Sequence, residues 1–265
     1  MSHRLSVIIT GRNDNYDGDF DDRLCLAMNR NIKSLPDAEF IFVEWNPFLD
    51  KPLTCQKLKK IFKDRVKYYV VDPKFHDSYC TIDGFLEYPS KNIGIRRASK
   101  DFIISTNSDI IFCPDLIENL KKDLEKNTLY RTSRIDIPYD YRCVQFPLLP
   151  EYKLEEHYGP TNAAGDFLLM NKELWHKATG YCEEFPEQRL HKDAEIICRL
   201  NKFPVVNLGA TTHWRHPSSW ANGYCRKKVG DVNWDYTRTG FLKNKDTWGL
   251  SFAKEINRNG LTWLV

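Results

Sequence analysis

Four short apolar runs, each stopped by a turn and separated from the next by a helical period, constrain this chain more tightly than any other feature. Residues 5–10 (LSVIIT) end at Gly11-Arg12-Asn13-Asp14, and residues 40–44 (FIFVE) end at Asn46-Pro47. Residues 66–71 (VKYYVV) and 102–106 (FIIST) complete the set. Between them, 23–34 places Leu24, Ala27, Met28 and Ile32 at helical spacing, and 53–62 and 91–99 read as two further helices. Strands that alternate with helices at this spacing predict crossover units around a parallel sheet. The first hundred or so residues therefore resemble a doubly wound nucleotide-binding half.

The rhythm changes after residue 109. A helix is expected over 114–126, with Leu116, Leu120 and Leu124 on one side, followed by a strand over 129–136. An irregular stretch rich in Pro, Tyr and Glu fills 138–162. A strand over 167–170, a short helix over 172–178, a helix over 193–201 and a late strand over 205–208 follow. With no internal repeat and no low-complexity linker, the 265 residues read as one α/β domain in two parts, about 1–112 and about 113–265.

Composition narrows the class of partner. The 39 basic and 36 acidic side chains leave a net charge of +3 with no long block of one sign, which gives no support to nucleic-acid binding. The first residues lack the shape of a signal peptide, and no apolar run reaches the eighteen or so residues that span a bilayer. A soluble, cytoplasmic protein is expected, with peripheral membrane association left open. The eight cysteines follow no C-x-x-C or pairing rhythm and read as reduced, mostly buried thiols.

Residues 101–114 (DFIISTNSDIIFCP) pose a sharper question, because five polar residues interrupt two apolar runs. Polar groups so close to core residues are costly to bury unless something pairs with them. In an open parallel sheet, ligands bind beyond the carboxyl ends of the strands. There, Thr10 to Asp14, Glu44-Trp45-Asn46 and Asn107-Ser108-Asp109 would converge on one crevice. The absence of G-x-G-x-x-G and of a P-loop argues against a dinucleotide cofactor or a simple NTPase. A nucleotide whose diphosphate is bridged by a divalent cation fits better.

Five segments in order, LSVIITGRND, FIFVEW, KNIGIRRASKDFIISTNSDIIF, AAGDFLLMNKELWHKATGYCEEF and HKDAEIICRL, resemble the GT-A fold glycosyltransferases, closest to inverting family 2. The resemblance spans about residues 5–217. It implies a Rossmann-like half with a mixed central sheet, fused to an acceptor-binding half. It also implies a nucleotide-sugar donor, by family prevalence a UDP-sugar with GDP and dTDP behind, and a glycan or glycolipid acceptor.

The resemblance also assigns roles. Asn107-Ser108-Asp109 occupies the place of the Asp-x-Asp motif, with Asn107 where the first Asp would stand, so that Asp109 carries the contact to Mn2+ or Mg2+. Thr10 and Arg12 would lie along the nucleoside, and Glu44 would accept from the base. Lys91-Asn92-Ile93-Gly94 resembles an R-N-x-G element, a helix start supporting the donor ribose and diphosphate. Gly165 and Asp166 would form the acceptor floor. Asp193 is the candidate general base, with Glu195 as the alternative. His213 or His216 would complete the metal shell, and Trp214 and Trp220 would stack on a sugar ring. The aromatic segment 233–250 would fold back over the site. A sugar nucleotidyltransferase and a non-catalytic sugar-binding protein are the competing readings. The former expects a Gly-rich, Arg/Lys-containing signature after the first strand, where residues 10–20 have one Arg, no Lys and only scattered Gly.

Overall fold

The computed structural model describes residues 4–80, 84–137, 165–184, 192–214, 216 and 243–265. The irregular stretch 138–162, Trp220, Cys143, Cys225 and the aromatics of 233–242 lie outside the described residues.

The chain opens with β1 (Leu5–Gly11), α1 (Phe20–Ser34), β2 (Glu39–Glu44), α2 (Thr54–Phe62) and β3 (Val66–Val71). Two helices follow, α3 (Pro73–Tyr79) and α4 (Glu87–Arg97), then β4 (Phe102–Thr106), β5 (Ile110–Phe112) and α5 (Pro114–Leu120). The second part holds β6 (Leu129–Ile137), β7 (Phe167–Asn171), α6 (Lys172–Ala178), α7 (Lys192–Arg199) and β8 (Val205–Trp214), and the described chain ends in β9 (Glu255–Arg258) and β10 (Leu261–Leu264).

All ten strands join one sheet in the order β5-β8-β6-β7-β4-β1-β2-β3-β10-β9. Strands β4, β1, β2 and β3 run parallel, as the alternating pattern requires. Beyond β4 the sheet turns mixed: β7 is antiparallel to β4, β6 to β7, and β5 to β8, whereas β6 and β8 run parallel. Strands β1, β2 and β4 are buried on both faces, so successive side chains feed two separate cores. Val7, Ile9, Phe40 and Phe42 enter one core with α1 and α2, while Ile8, Ile41 and Val43 enter the other with α4 and α6. Gly94 belongs to this packing, because a Cβ there would collide with Ile8.

Several expected boundaries shift. Helix α4 begins at Glu87, so Lys91 and Asn92 sit in its middle and do not open it. Pro89 in its first turn, where no amide hydrogen is needed, marks the true start. Helix α5 stops at Leu120, where Lys121 and Lys122 close tighter turns onto Glu118 and Asn119. Strand β8 runs on to Trp214. The C-terminal strands lie at the opposite edge of the sheet from β5, β8 and β6: β10 pairs in parallel with β3 and β9 closes that edge. The six described cysteines are free thiols. Among the described residues, no helix is long and apolar enough to cross a membrane.

Candidate functional site

Strand register brings the site together. His213 on β8 lies opposite Asp136 on β6 and opposite Ile110 on β5, and Asp109 immediately precedes that last partner. Asp109, His213 and His216 are each buried, and one ligand atom from each lies within 4.8 Å of the others. Both Nε2 atoms face the same oxygen, Asp109 Oδ2, at 3.8 Å from His213 and 3.6 Å from His216. Each ring turns its other nitrogen to a carboxylate. His213 Nδ1 is 2.8 Å from Asp136 Oδ1, and His216 Nδ1 is 2.7 Å from Asp17 Oδ2. Two imidazoles oriented by carboxylates, with one further carboxylate, form a donor set suited to a divalent transition ion such as Mn2+ more than to Mg2+.

Charge at this cluster is shared among few groups. Arg23, almost fully buried on α1, bonds Asp109 Oδ2 through Nη1 and Asp19 Oδ1 through Nε. Burial alone would raise the Asp109 carboxyl, but the charges of His213, Arg23 and His216 hold it below the ordinary range. For Asp136, the hydrogen bond from His213 and the pairing with Arg134 outweigh burial and bring it down to about 2. Burial would lower His213, yet its bond to Asp136 and the charges of Asp109 and Asp166 raise it. His216 goes the other way, lowered by burial despite Asp109, with the Arg23 charge adding to the effect.

A second cluster adjoins the first. Lys91, with no exposed surface, donates to Glu87, to Asn107 Oδ1 at 2.7 Å and to the Gly165 carbonyl at 2.9 Å. Asn107 Nδ2 donates to Asp166 Oδ1 at 2.9 Å, and Arg134 donates to Asp166 Oδ2 at 2.9 Å while pairing with Asp136. The Gly165 amide donates to Asp193 Oδ2 at 2.7 Å. Hydrogen bonds thus run from Asp193 through Gly165, Lys91, Asn107, Asp166, Arg134 and Asp136 to His213. Ser108 is half-buried between Asn107 and Asp109.

Comparison of this architecture with solved structures finds a mannosyltransferase from Pyrobaculum calidifontis, in complex with GDP-Man and Mn2+, at a TM-score of 0.51 and 12% identity. That alignment covers 79% of this chain and 56% of the mannosyltransferase, so the chain spans little more than half of that protein. A mutant of Drosophila galactosyltransferase 7, in complex with manganese, UDP-Gal and xylobiose, matches at a TM-score of 0.50 and 13% identity over 98% of this chain and 92% of that one. The chain has the GT-A fold. No protein-family model matches the sequence, and no curated protein does.

Within the GT-A fold, the sequence-derived candidates divide. Asp109, His213, Asn107, Lys91, Asp166, Gly165 and Asp193 fall into the two linked clusters. Thr10 is buried in β1, and Arg12 just beyond it stacks over Phe48 at 4.0 Å and donates from Nε to the Asn46 carbonyl at 2.7 Å. Glu44 does not present its carboxylate to a base. Its two oxygens accept the amides of Thr54 and Cys55 at 2.8 and 2.7 Å, capping α2, because the strand end points at that helix's N-terminus.

Asn92 is likewise consumed by structure. Its amide donates to the Tyr181 carbonyl and to Glu183, and its oxygen accepts from the Tyr181 amide. Trp214 offers no face to a sugar: it is buried with Ala27, Ile111 and Ile137. Strand alternation explains this, since His213 and Trp214 must point to opposite sides. Glu195 has no exposed surface and forms a two-pronged ion pair with Arg199, which leaves Asp193 as the carboxylate at the cluster. Asp136 and Arg134, whose i, i+2 spacing on a strand was the available signal, and Asp17, which carried no signal, are additions from the structure.

Proposed function

We propose that the protein is an inverting glycosyltransferase that moves one sugar from a nucleotide-diphosphate donor, a UDP-sugar first, to a hydroxyl of a glycan or glycoconjugate acceptor. The observation that carries this reading is the convergence of Asp109, His213 and His216 on one point at the carboxyl end of the GT-A sheet. The two GT-A structures compared above hold Mn2+ or manganese with a nucleotide-sugar, which supports the same reading here.

Asp109 Oδ2 and the two Nε2 atoms would hold a divalent cation, Mn2+ by the chemistry of the donor set. When bound, such an ion offsets the charge that develops on a departing nucleoside diphosphate. Thr10 and Arg12 would flank the nucleoside. Asp193 would receive the acceptor proton, its Oδ2 being held by the Gly165 amide while Oδ1 accepts. The acceptor oxygen then bonds the anomeric carbon as the carbon–oxygen bond to the diphosphate breaks, and that electron pair leaves with the diphosphate. Asp166, fixed by Asn107 and Arg134, would form part of the acceptor floor.

A thermal-shift panel of UDP, GDP, dTDP and CMP, each with and without Mn2+, tests the proposal, since a ligand of the native state alone must raise its stability. UDP should raise the melting temperature only with Mn2+ present. No shift with any nucleoside diphosphate, with or without Mn2+, would refute a nucleotide-sugar donor.

A further inference from the structure

We infer that Asp17 is a positioning residue for the cation site: it fixes the ring of His216 so that Nε2 is aimed at the point shared with His213 and Asp109. This rests on the reading of those three residues as metal ligands. The contact is specific, because Asp17 Oδ2 lies 2.7 Å from His216 Nδ1 and both side chains are nearly buried. A carboxylate at Nδ1 holds the proton on that nitrogen and leaves the Nε2 lone pair to coordinate. Ligands each about 2.1 Å from one ion lie about 3.0–3.4 Å apart. The separations of 3.6 and 3.8 Å from Asp109 Oδ2 are therefore a few tenths of an ångström wide of a filled site.

The turn presenting Asp17 is built for that aim. Asn15, Asp17 and Gly18 all have positive φ, at 49°, 61° and 81°. For the two non-glycine residues this is a sparsely populated conformation that persists only where the surroundings enforce it. Several bonds enforce it. The Gly18 amide donates to the Asn15 carbonyl at 2.7 Å, Asn15 Nδ2 donates to the Gly18 carbonyl at 2.8 Å, and the Asp21 amide donates to Asn15 Oδ1 at 3.2 Å. Arg23 ties the turn to the site, because one guanidinium donates to both the Tyr16 carbonyl and Asp109. The Tyr16 ring also meets the His216 ring edge-on at 5.6 Å. The loop after β1, on the nucleotide side of the crevice, thus carries a support for a ligand on the far side. Asp136 does the same for His213 from within the sheet, so each imidazole has its own carboxylate.

Asp17→Gly removes the carboxylate while keeping a residue that adopts φ near +60° without strain. Asp17→Asn keeps the shape and removes the charge. Mn2+ binding to the purified protein, measured by the electron paramagnetic resonance of free Mn2+, should weaken about 10–100-fold in Asp17→Gly and less in Asp17→Asn. Nitrogen-15 spectra, recorded without metal at a pH where the ring is neutral, should show His216 protonated at Nδ1 in the unaltered protein and shifted toward the Nε2–H form in Asp17→Gly. A merely structural role for Asp17 would not move that tautomer. Equal Mn2+ affinity in the unaltered protein and Asp17→Gly, or an unchanged tautomer, overturns the inference alone. Absence of Mn2+ binding to the unaltered protein removes its premise as well, and so is distinguishable.

Discussion

Replacing Lys91 by Met separates a structural lysine from a donor-binding one. The resemblance to R-N-x-G elements places this residue against the donor diphosphate. In the structure its ammonium has no exposed surface and is consumed by Glu87, Asn107 and the Gly165 carbonyl. Removing one partner of a buried ion pair costs about 3–5 kcal/mol. The Glu87 side chain is 33% exposed, so water can recover part of its solvation, which puts the cost at the lower end, about 3 kcal/mol. Met fills a similar volume and keeps helix propensity in α4, so little is added from packing or backbone. For a domain of this size about 3 kcal/mol corresponds to a fall of roughly 6–12 °C in Tm. Thermal and urea unfolding should show that loss, while UDP affinity, measured well below the lowered Tm with Mn2+ present, should change less than about tenfold, or 1.4 kcal/mol. A Tm drop under about 2 °C together with a larger loss of UDP affinity would refute the reasoning and return Lys91 to the diphosphate.

Three further outcomes are expected. His213 binds its proton more tightly in the folded protein than in the unfolded chain. Without metal, its contribution to stability is therefore full below about pH 6.5 and lost as pH rises through its raised folded value. A coordinated cation displaces that proton, so the Mn2+-induced Tm increase should grow with pH across this window, and thermal scans showing an increment that is flat or falls with pH would contradict the assignment. Asp193→Asn should keep donor affinity and lower turnover by about 10²–10⁴-fold, whereas Glu195→Gln should cost about 3–5 kcal/mol of stability through Arg199 and spare the chemistry. Steady-state kinetics paired with urea melts checks both, and the opposite pattern exchanges their roles.

The parallel half was legible because β1, β2 and β4 are buried on both faces and written in nearly continuous apolar letters, and its helices carry a clear period. Less was legible where tertiary partners decide. Strand β8 runs past Leu208 through Gly209 at φ 133° into Thr211 and His213, polar residues whose burial is offset by the Ser133 carbonyl and by Asp136 and not by their own hydropathy. Helix α3 is marked in the sequence by its start alone: Asp72 caps it by accepting from the Lys74 amide, and Pro73 follows at the first helical position.

At the site, the Asp109 region announced itself as polar letters between apolar ones. The sequence could not show that Glu44 points at α2, because that depends on where the helix packs. For Trp214 the period-two rule was already available: a histidine aimed at the crevice commits its neighbour to the core. Asp17 lies in a turn rich in Asn, Asp and Gly, whose composition describes a loop equally well with or without a task.

The pairing of β10 with β3 has a consequence for synthesis on the ribosome. The edge of β3, with Val66, Tyr68 and Val70 already committed to the core, must wait for its partner strand until Leu261–Leu264 emerge. At about 5–20 residues per second, the roughly 190 intervening residues take on the order of 10–40 s. During that interval the nascent chain carries an open, apolar strand edge, the kind of surface that recruits another strand. Once docked, β10 in turn is covered by β9, whose Glu255 and Arg258 leave a charged outer rim.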